Sequence, residues 1–297
     1  MTKPEILEFR TSDGLRLEAE SYGAGPTILL AHGGGQTRYS WRGVAQAQAE
    51  KGWRTVALDL RGHGASDWDP AGDYSLERYG RDIAEVAQQL GGGIYHVGAS
   101  LGGNAALAAV GRYAPELFHA LVLVDVVPQV DKTGVAEVLG FMGSHLDQGF
   151  ADLDEASRAV SAYRKQAPRP AGQASGLARY LRRRDDGRLV WHWDPAFVRG
   201  RRHGRLTPDL AQRLDRDLRN ITCPVLLLRG LDSNLVTDEA EAAFRRSAPE
   251  ALVWHVDDAG HMVVGDNNSQ FAGDLDRFLN LVRNRETAIA NQGRANA

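Results

Sequence analysis

One stretch restricts the fold more than any other. Ile94-Tyr95-His96-Val97 is mostly apolar and rich in strand formers. It runs into Gly98-Ala99-Ser100-Leu101-Gly102-Gly103, and a helix-prone run follows from Asn104 to Tyr113. The spacing predicts strand, tight turn and helix, with a serine at the turn. Gly98 and Gly102 lack a Cβ, so the strand and helix can approach closely around a strained Ser100. Such a turn lifts the serine hydroxyl out at the end of a sheet. It also aims the N–H of Leu101, at a helix N-terminus, at whatever Ser100 attacks. Gly-x-Ser-x-Gly alone also fits a plain Gly-rich turn. A phosphate loop is disfavoured, because neither Gly-Lys-Ser/Thr nor Gly-x-Gly-x-x-Gly is present here.

The rest of the chain supplies the context. Ile6–Arg10 and Leu15–Tyr22 read as strands joined by a turn at Ser12-Asp13-Gly14. Thr27–Ala31 is a short apolar run ending in His32-Gly33-Gly34-Gly35, and Trp53–Leu60 is another, leading into Arg61-Gly62-His63-Gly64. Helices are expected over Trp41–Lys51 and, capped by Ser75, through Leu90. Ala120–Val124 is the strand after the serine helix. Solidly apolar strands alternating with helices predict an α/β fold, a mostly parallel sheet with helices on both faces. The pattern breaks after Asp125. Residues 126–205 contain irregular helical segments (Thr133–Phe141, Leu153–Gln166, Gly176–Arg183), the break Pro168-Arg169-Pro170 and the block Trp191-His192-Trp193-Asp194-Pro195. That is too long for a loop and predicts an inserted helical cap. The alternation then resumes with helix Pro208–Leu218, strand Val225–Arg229, helix Thr237–Ser247 and strand Leu252–Val256. A last helix is expected over Ser269–Val282. Residues 1–125 and 206–284 thus form the core domain, and 285–297 is a polar stretch expected to be flexible.

Composition narrows the function. With 297 residues, 43% of them hydrophobic, the chain can bury a large core. A net charge of −3 gives no footing for nucleic acid or an anionic membrane surface. No run is long enough to span a bilayer, and Met1–Arg10 lacks the apolar core of a signal peptide. The single cysteine, Cys223, reads as a buried inert thiol compatible with a reducing cytoplasm. The expected partner is a small molecule, and the chain is expected to be a monomer or homodimer. His, Cys and carboxylates show no metal-site spacing, so no metal or other cofactor is expected.

Ligands of parallel α/β sheets meet the carboxyl ends of the strands. Ser100, Asp125, Asp232 and His261 all follow strands there. A serine hydroxyl becomes a nucleophile when an imidazole takes its proton and a carboxylate steadies that imidazole. With His32-Gly33-Gly34-Gly35, Asp59-Leu60-Arg61-Gly62-His63-Gly64-Ala65-Ser66, the serine turn and Gly260-His261, the chain resembles the α/β-hydrolase superfamily, in its group of capped serine enzymes. The resemblance spans nearly the whole chain. It implies an eight-stranded α/β-hydrolase sheet, Ser100 as nucleophile, His261 as base, and the N–H groups of Gly34 and Leu101 as oxyanion hole.

The acid departs from the family's commonest pattern. Gly230-Leu231-Asp232-Ser233 puts a serine where the carboxylate usually stands. Some members place the acid after the preceding strand instead. Leu121-Val122-Leu123-Val124-Asp125 and Arg229 to Val236 are similar to 2-(acetamidomethylene)succinate hydrolases in this respect. Asp125 is therefore the expected acid, with Asp232 the alternative. Asp125 as a plain strand-end cap also remains open. His32 and His63 read as braces of their glycine turns, and His96 as a core residue. Trp191 and Trp193 are expected to line a substrate pocket while packing the cap. Arg182-Arg183-Arg184 reads as a solvated face, with recognition of an acidic substrate as the sharper alternative. His145, His192 and His203 receive no role. The expected activity is cleavage of a small-molecule ester, lactone or amide through an acyl-enzyme. The alternatives are C–C cleavage of a diketone, acyl transfer or perhydrolysis, and a non-catalytic small-molecule binding protein on the same fold.

Overall fold

The computed structural model describes residues 3–163, 170, 175–200, 208–261, 263 and 268–295. Pro168, Arg169 and His203 lie outside the described residues, as does the end of the expected helix at 164–166. Ten strands are described: β1 (Glu5–Arg10), β2 (Arg16–Tyr22), β3 (Thr27–Ala31), β4 (Arg54–Leu58), β5 (Ile94–Ala99), β6 (Phe118–Val124), β7 (Leu181–Arg183), β8 (Leu189–Trp191), β9 (Val225–Gly230) and β10 (Leu252–Val256). Eight of them form one sheet in the order β1-β2-β4-β3-β5-β6-β9-β10. β1, β2 and β4 pair antiparallel, and every pairing from β4 to β10 is parallel. This is the mostly parallel sheet that the alternation of strands and helices predicts, with the eight strands that the resemblance implies.

Period-two alternation divides each central strand between two cores. Leu29, Leu121, Leu123 and Leu227 point to one side. Ile28, Leu30, Val122, Leu226 and Leu228 point to the other. On the first side lie α2 (Leu76–Gln89), α3 (Leu101–Ala108), α7 (Pro208–Asn220) and α8 (Asp238–Ser247). The second is covered by α1 (Arg42–Glu50) and the final helix, α9 (Asn268–Ala295), through Phe271, Leu275, Phe278 and Val282. Ser75 accepts from Arg78 N–H and starts α2 as expected.

Between β6 and β9 the chain leaves the sheet. It forms α4 (Lys132–Gly143), α5 (Leu153–Tyr163), a 3₁₀ turn (Ser175–Tyr180), the hairpin β7–β8 and α6 (Pro195–Arg199). Of the expected helix over Gly176–Arg183, Gly176–Tyr180 is a 3₁₀ turn, and the hairpin corrects its end, Leu181–Arg183. Leu181 pairs with Trp191 and Arg183 with Leu189. Asp185-Asp186-Gly187 turns the chain, with Gly187 at φ +84° and its N–H donated to Arg184 C=O. An Asp-Gly step between short strands is a hairpin signal, and it overrides the helical propensity of the arginines. A second correction concerns the C-terminus. Rather than ending at Val282, α9 runs to Ala295. Glu286 anchors that extension by bonding the Tyr95 hydroxyl and the His119 ring. Among the described residues, no helix is long and apolar enough to cross a membrane.

Candidate active site

β5 ends at Ala99, and Ser100 follows with φ +47° and ψ −109°, a conformation that side chains rarely adopt. The glycines permit it. A Cβ on Gly98 would stand 2.6 Å from Gly102 O, and one on Gly102 would stand 2.5 Å from Ala31 O. Strand and helix therefore touch where any side chain would separate them. α3 begins directly at Leu101, so its first N–H groups point past Ser100.

Asp125 follows β6, likewise at positive φ (+48°), and is buried. Three donors converge on its carboxylate. His261 Nδ1 lies 2.9 Å from Oδ2, the Ser233 hydroxyl donates to Oδ2 at 2.6 Å, and Gly230 N–H donates to Oδ1 at 3.1 Å. Ser233 Oγ also accepts from Leu235 and Val236 N–H, each at 3.1 Å. The serine in the unexpected place is thus a brace for the carboxylate on the neighbouring strand. Asp232 is exposed, and its described hydrogen bond is a backbone one, from its N–H to Ala259 C=O at 2.9 Å. The structure brings Asp125, not Asp232, to the imidazole.

His261 and Ser100 line one cavity of about 490 Å³. Its walls alternate between the ends of the strands and the inserted segment. The strand ends contribute Gly34 and Gly35; the inserted segment contributes Phe141, Met142, Trp191 and Trp193. Trp191 and Trp193 stack with centroids 4.8 Å apart, and Phe141 meets Trp191 edge-on at 5.6 Å. Both tryptophans are buried, so they pack the insertion and wall the cavity at once.

The loop carrying Gly34 is held by directional bonds that the motif alone did not disclose. Leu60 N–H donates to His32 Nε2, so His32 Nδ1–H donates to Gly33 C=O at 2.8 Å. Gly35 N–H donates to His63 Nε2 at 3.1 Å, which leaves His63 Nδ1–H for Arg61 C=O. Gly64 N–H donates to His192 Nδ1 at 2.8 Å, and His192 Nε2–H reaches Gly35 C=O at 3.3 Å. Each ring accepts a backbone N–H at one nitrogen, so each must be neutral. Burial pushes all three down to about 3. His32 and His63 brace their turns as expected. His192, on the inserted segment, is a further brace that sequence reasoning missed, because its partners lie far away in the chain. Gly33 N–H goes to Gln36 and Gly102 N–H to His32 C=O. Gly34 and Leu101 N–H have no hydrogen-bond partner among the described residues.

Other candidates fall elsewhere. His96 is buried in β5 with its ring edge-on to Phe118 at 6.2 Å. Burial raises the Cys223 thiol to about 11. Among the described residues, no three His, Cys, Asp or Glu side chains are grouped to hold a metal ion.

The alpha/beta hydrolase fold family matches residues 26–268, and the chain belongs to that family. It is 32% identical over 259 residues to esterase Rv0045c of Mycobacterium tuberculosis, covering 82% of this chain and 79% of that one. It is 30% identical over 252 residues to the 2-(acetamidomethylene)succinate hydrolase of Mesorhizobium japonicum, covering 84% and 86%. The crystal structure of an E-2-(acetamidomethylene)succinate hydrolase superposes with a TM-score of 0.75 at 24% identity, over 93% of this chain and 100% of that one.

Proposed function

We propose that the protein is a serine hydrolase that cleaves a small-molecule carboxylic ester, lactone or amide. In this reading Ser100 Oγ attacks the carbonyl carbon while His261 Nε2 takes its proton. Asp125 holds the imidazole by Nδ1 and stabilises the imidazolium that forms. The oxyanion accepts from Gly34 and Leu101 N–H, each donor worth roughly 3–4 kcal/mol in the transition state. The C–O or C–N bond then breaks as His261 returns the proton to the leaving group. Water, deprotonated by the same histidine, next releases the acid and frees Ser100.

One observation carries the reading. His261 is bonded through Nδ1 to a buried carboxylate at 2.9 Å, and it shares a cavity with a serine held at φ +47°. The Asp125 carboxylate has both oxygens bonded, by three donors in all. The esterase at 32% identity and the succinate-derivative hydrolase at 30% are both hydrolases by name, which supports the class and leaves the bond open. Turnover of a panel of 4-nitrophenyl esters, with pre-steady-state bursts, tests it. Wild type is expected to release one nitrophenolate rapidly per active site before the steady rate, and Ser100→Ala to release none. Equal turnover by the folded Ser100→Ala variant would refute the mechanism.

A further inference from the structure

The arginine run that the sequence offers as a reader of acidic substrates faces away from the serine. Arg182 lies over the Trp68 ring at 4.0 Å and lines a second cavity, across the Trp191 and Trp193 wall. Arg183 donates to Gly187 C=O, and Arg184 pairs with Asp186. The cation that lines the serine's cavity is a different one, Arg179, on the 3₁₀ turn Ser175–Tyr180.

Arg179 differs from the arginines beside it. Three guanidinium groups surround the Tyr39 ring: Arg38 at 5.1 Å, Arg42 at 4.6 Å and Arg179 at 5.5 Å. Arg38 is neutralised by Asp59 and Glu18, and Arg42 by Glu20. Among the described residues, no carboxylate pairs with Arg179. No described acidic side chain lines this cavity, and Arg179 is the one permanent charge among the described residues that line it. The cavity's other lining from the inserted segment is largely apolar, and Ser157 and Ser161, one helical turn apart on α5, add hydroxyls.

A wholly neutral ligand would take water from this guanidinium and return nothing. A carboxylate would return two charge-assisted bonds in the planar geometry that arginine favours. We propose that the cavity selects an anionic substrate: an ester or amide whose far end bears a carboxylate seated on Arg179, joined to the scissile group by an apolar spacer against Phe141 and the tryptophans. This rests on the hydrolase reading above and adds the substrate's charge to it.

The test uses pairs of esters that differ only in the distal group. On the acyl side, mono-4-nitrophenyl adipate and suberate are compared with their N-methylamides. On the alcohol side, 6-acetoxyhexanoate is compared with its N-methylamide. In at least one series wild type is expected to favour the carboxylate by about tenfold in kcat/KM, and 0.5 M salt should erode that preference. In Arg179→Gln the ratio should fall to about one, the carboxylate substrate losing kcat/KM and the neutral one losing none. Equal rates within every wild-type pair, or a preference that survives Arg179→Gln, would overturn the proposal while leaving the hydrolase reading intact. Failure of the hydrolase reading looks different: no ester is turned over and Ser100 resists a fluorophosphonate. Calorimetry of the same pairs on Ser100→Ala then makes the same charge comparison without chemistry. Tighter binding of the carboxylate supports the proposal, and equal binding overturns it.

Discussion

The two walls of the serine's cavity are built in opposite ways. On the sheet side, the neutral imidazoles of His32 and His63 bond Gly33 and Gly35, and a buried Arg38–Asp59 pair ties the loops after β3 and β4 together. On the inserted side, contact is largely aromatic stacking among Phe141, Tyr163, Trp191 and Trp193. Directional bonds fix atoms to within tenths of an ångström, which an oxyanion site requires. Apolar stacking fixes a shape and tolerates exchange of side chains of similar size. One wall is therefore suited to chemistry and the other to selection. Asp194 and His192 join the two. Asp194 N–H donates to Gly62 C=O, and its carboxylate accepts from the Tyr74 hydroxyl at 2.6 Å.

Several measurements would break or sharpen this contrast. The largest effect concerns acid. His32, His63, His96 and His192 are each held near 3 by burial, against about 6.5 when unfolded. The fold refuses protons that the unfolded chain accepts, so stability is full above pH 6.5 and is lost as pH falls towards 3. Each histidine should cost about 1 kcal/mol between pH 6.5 and 5.5, about 4 kcal/mol together. Urea unfolding at the two pH values reads this directly, and His63→Phe should remove about a quarter of the difference. A flat profile would mean that these rings take up protons in the folded state.

His63→Phe also probes the sheet wall itself. Gly35 N–H loses its acceptor, so the loop with Gly34 should shift. We expect kcat to fall about a hundredfold with KM within about threefold. A rise in KM alone would assign His63 to substrate binding. Ser233→Ala removes one of three donors to Asp125, and kcat should fall about tenfold, whereas Asp232→Asn should stay within about twofold. The smallest change belongs to the inserted wall. Trp193→Phe should leave kcat on a short ester within about twofold and alter the preference among acyl chain lengths by about fivefold. A large kcat loss there would erase the distinction between the walls.

The same contrast explains what the sequence disclosed. The sheet wall was legible because close approach demands glycine at fixed spacings, and those spacings survive in the chain as Gly98, Gly102 and the run at 33–35. The pairing of Asp125 with His261 was open between two carboxylates, because a shift of one residue at the end of β9 decides it and no local pattern records that shift. Ser233 looked like a lost acid, since its partner lies on another strand. On the inserted side only the apolar character of Trp191 and Trp193 was readable. Strand β7 reads as the end of a helix because the hairpin's one clear signal, Asp186-Gly187, follows helix-favouring arginines. Arg179 was invisible for the same reason: which arginine faces the cavity depends on that hairpin.

The central claim is that Asp125, through His261, activates Ser100. The direct measurement is the rate at which a fluorophosphonate labels Ser100, mapped by mass spectrometry, in wild type, Asp125→Asn and Asp232→Asn. The account predicts stoichiometric labelling of wild type, a rate about 10³-fold to 10⁴-fold lower in Asp125→Asn, and a near-normal rate in Asp232→Asn. Labelling that collapses in Asp232→Asn instead, or a folded wild type that is not labelled at Ser100, would contradict it.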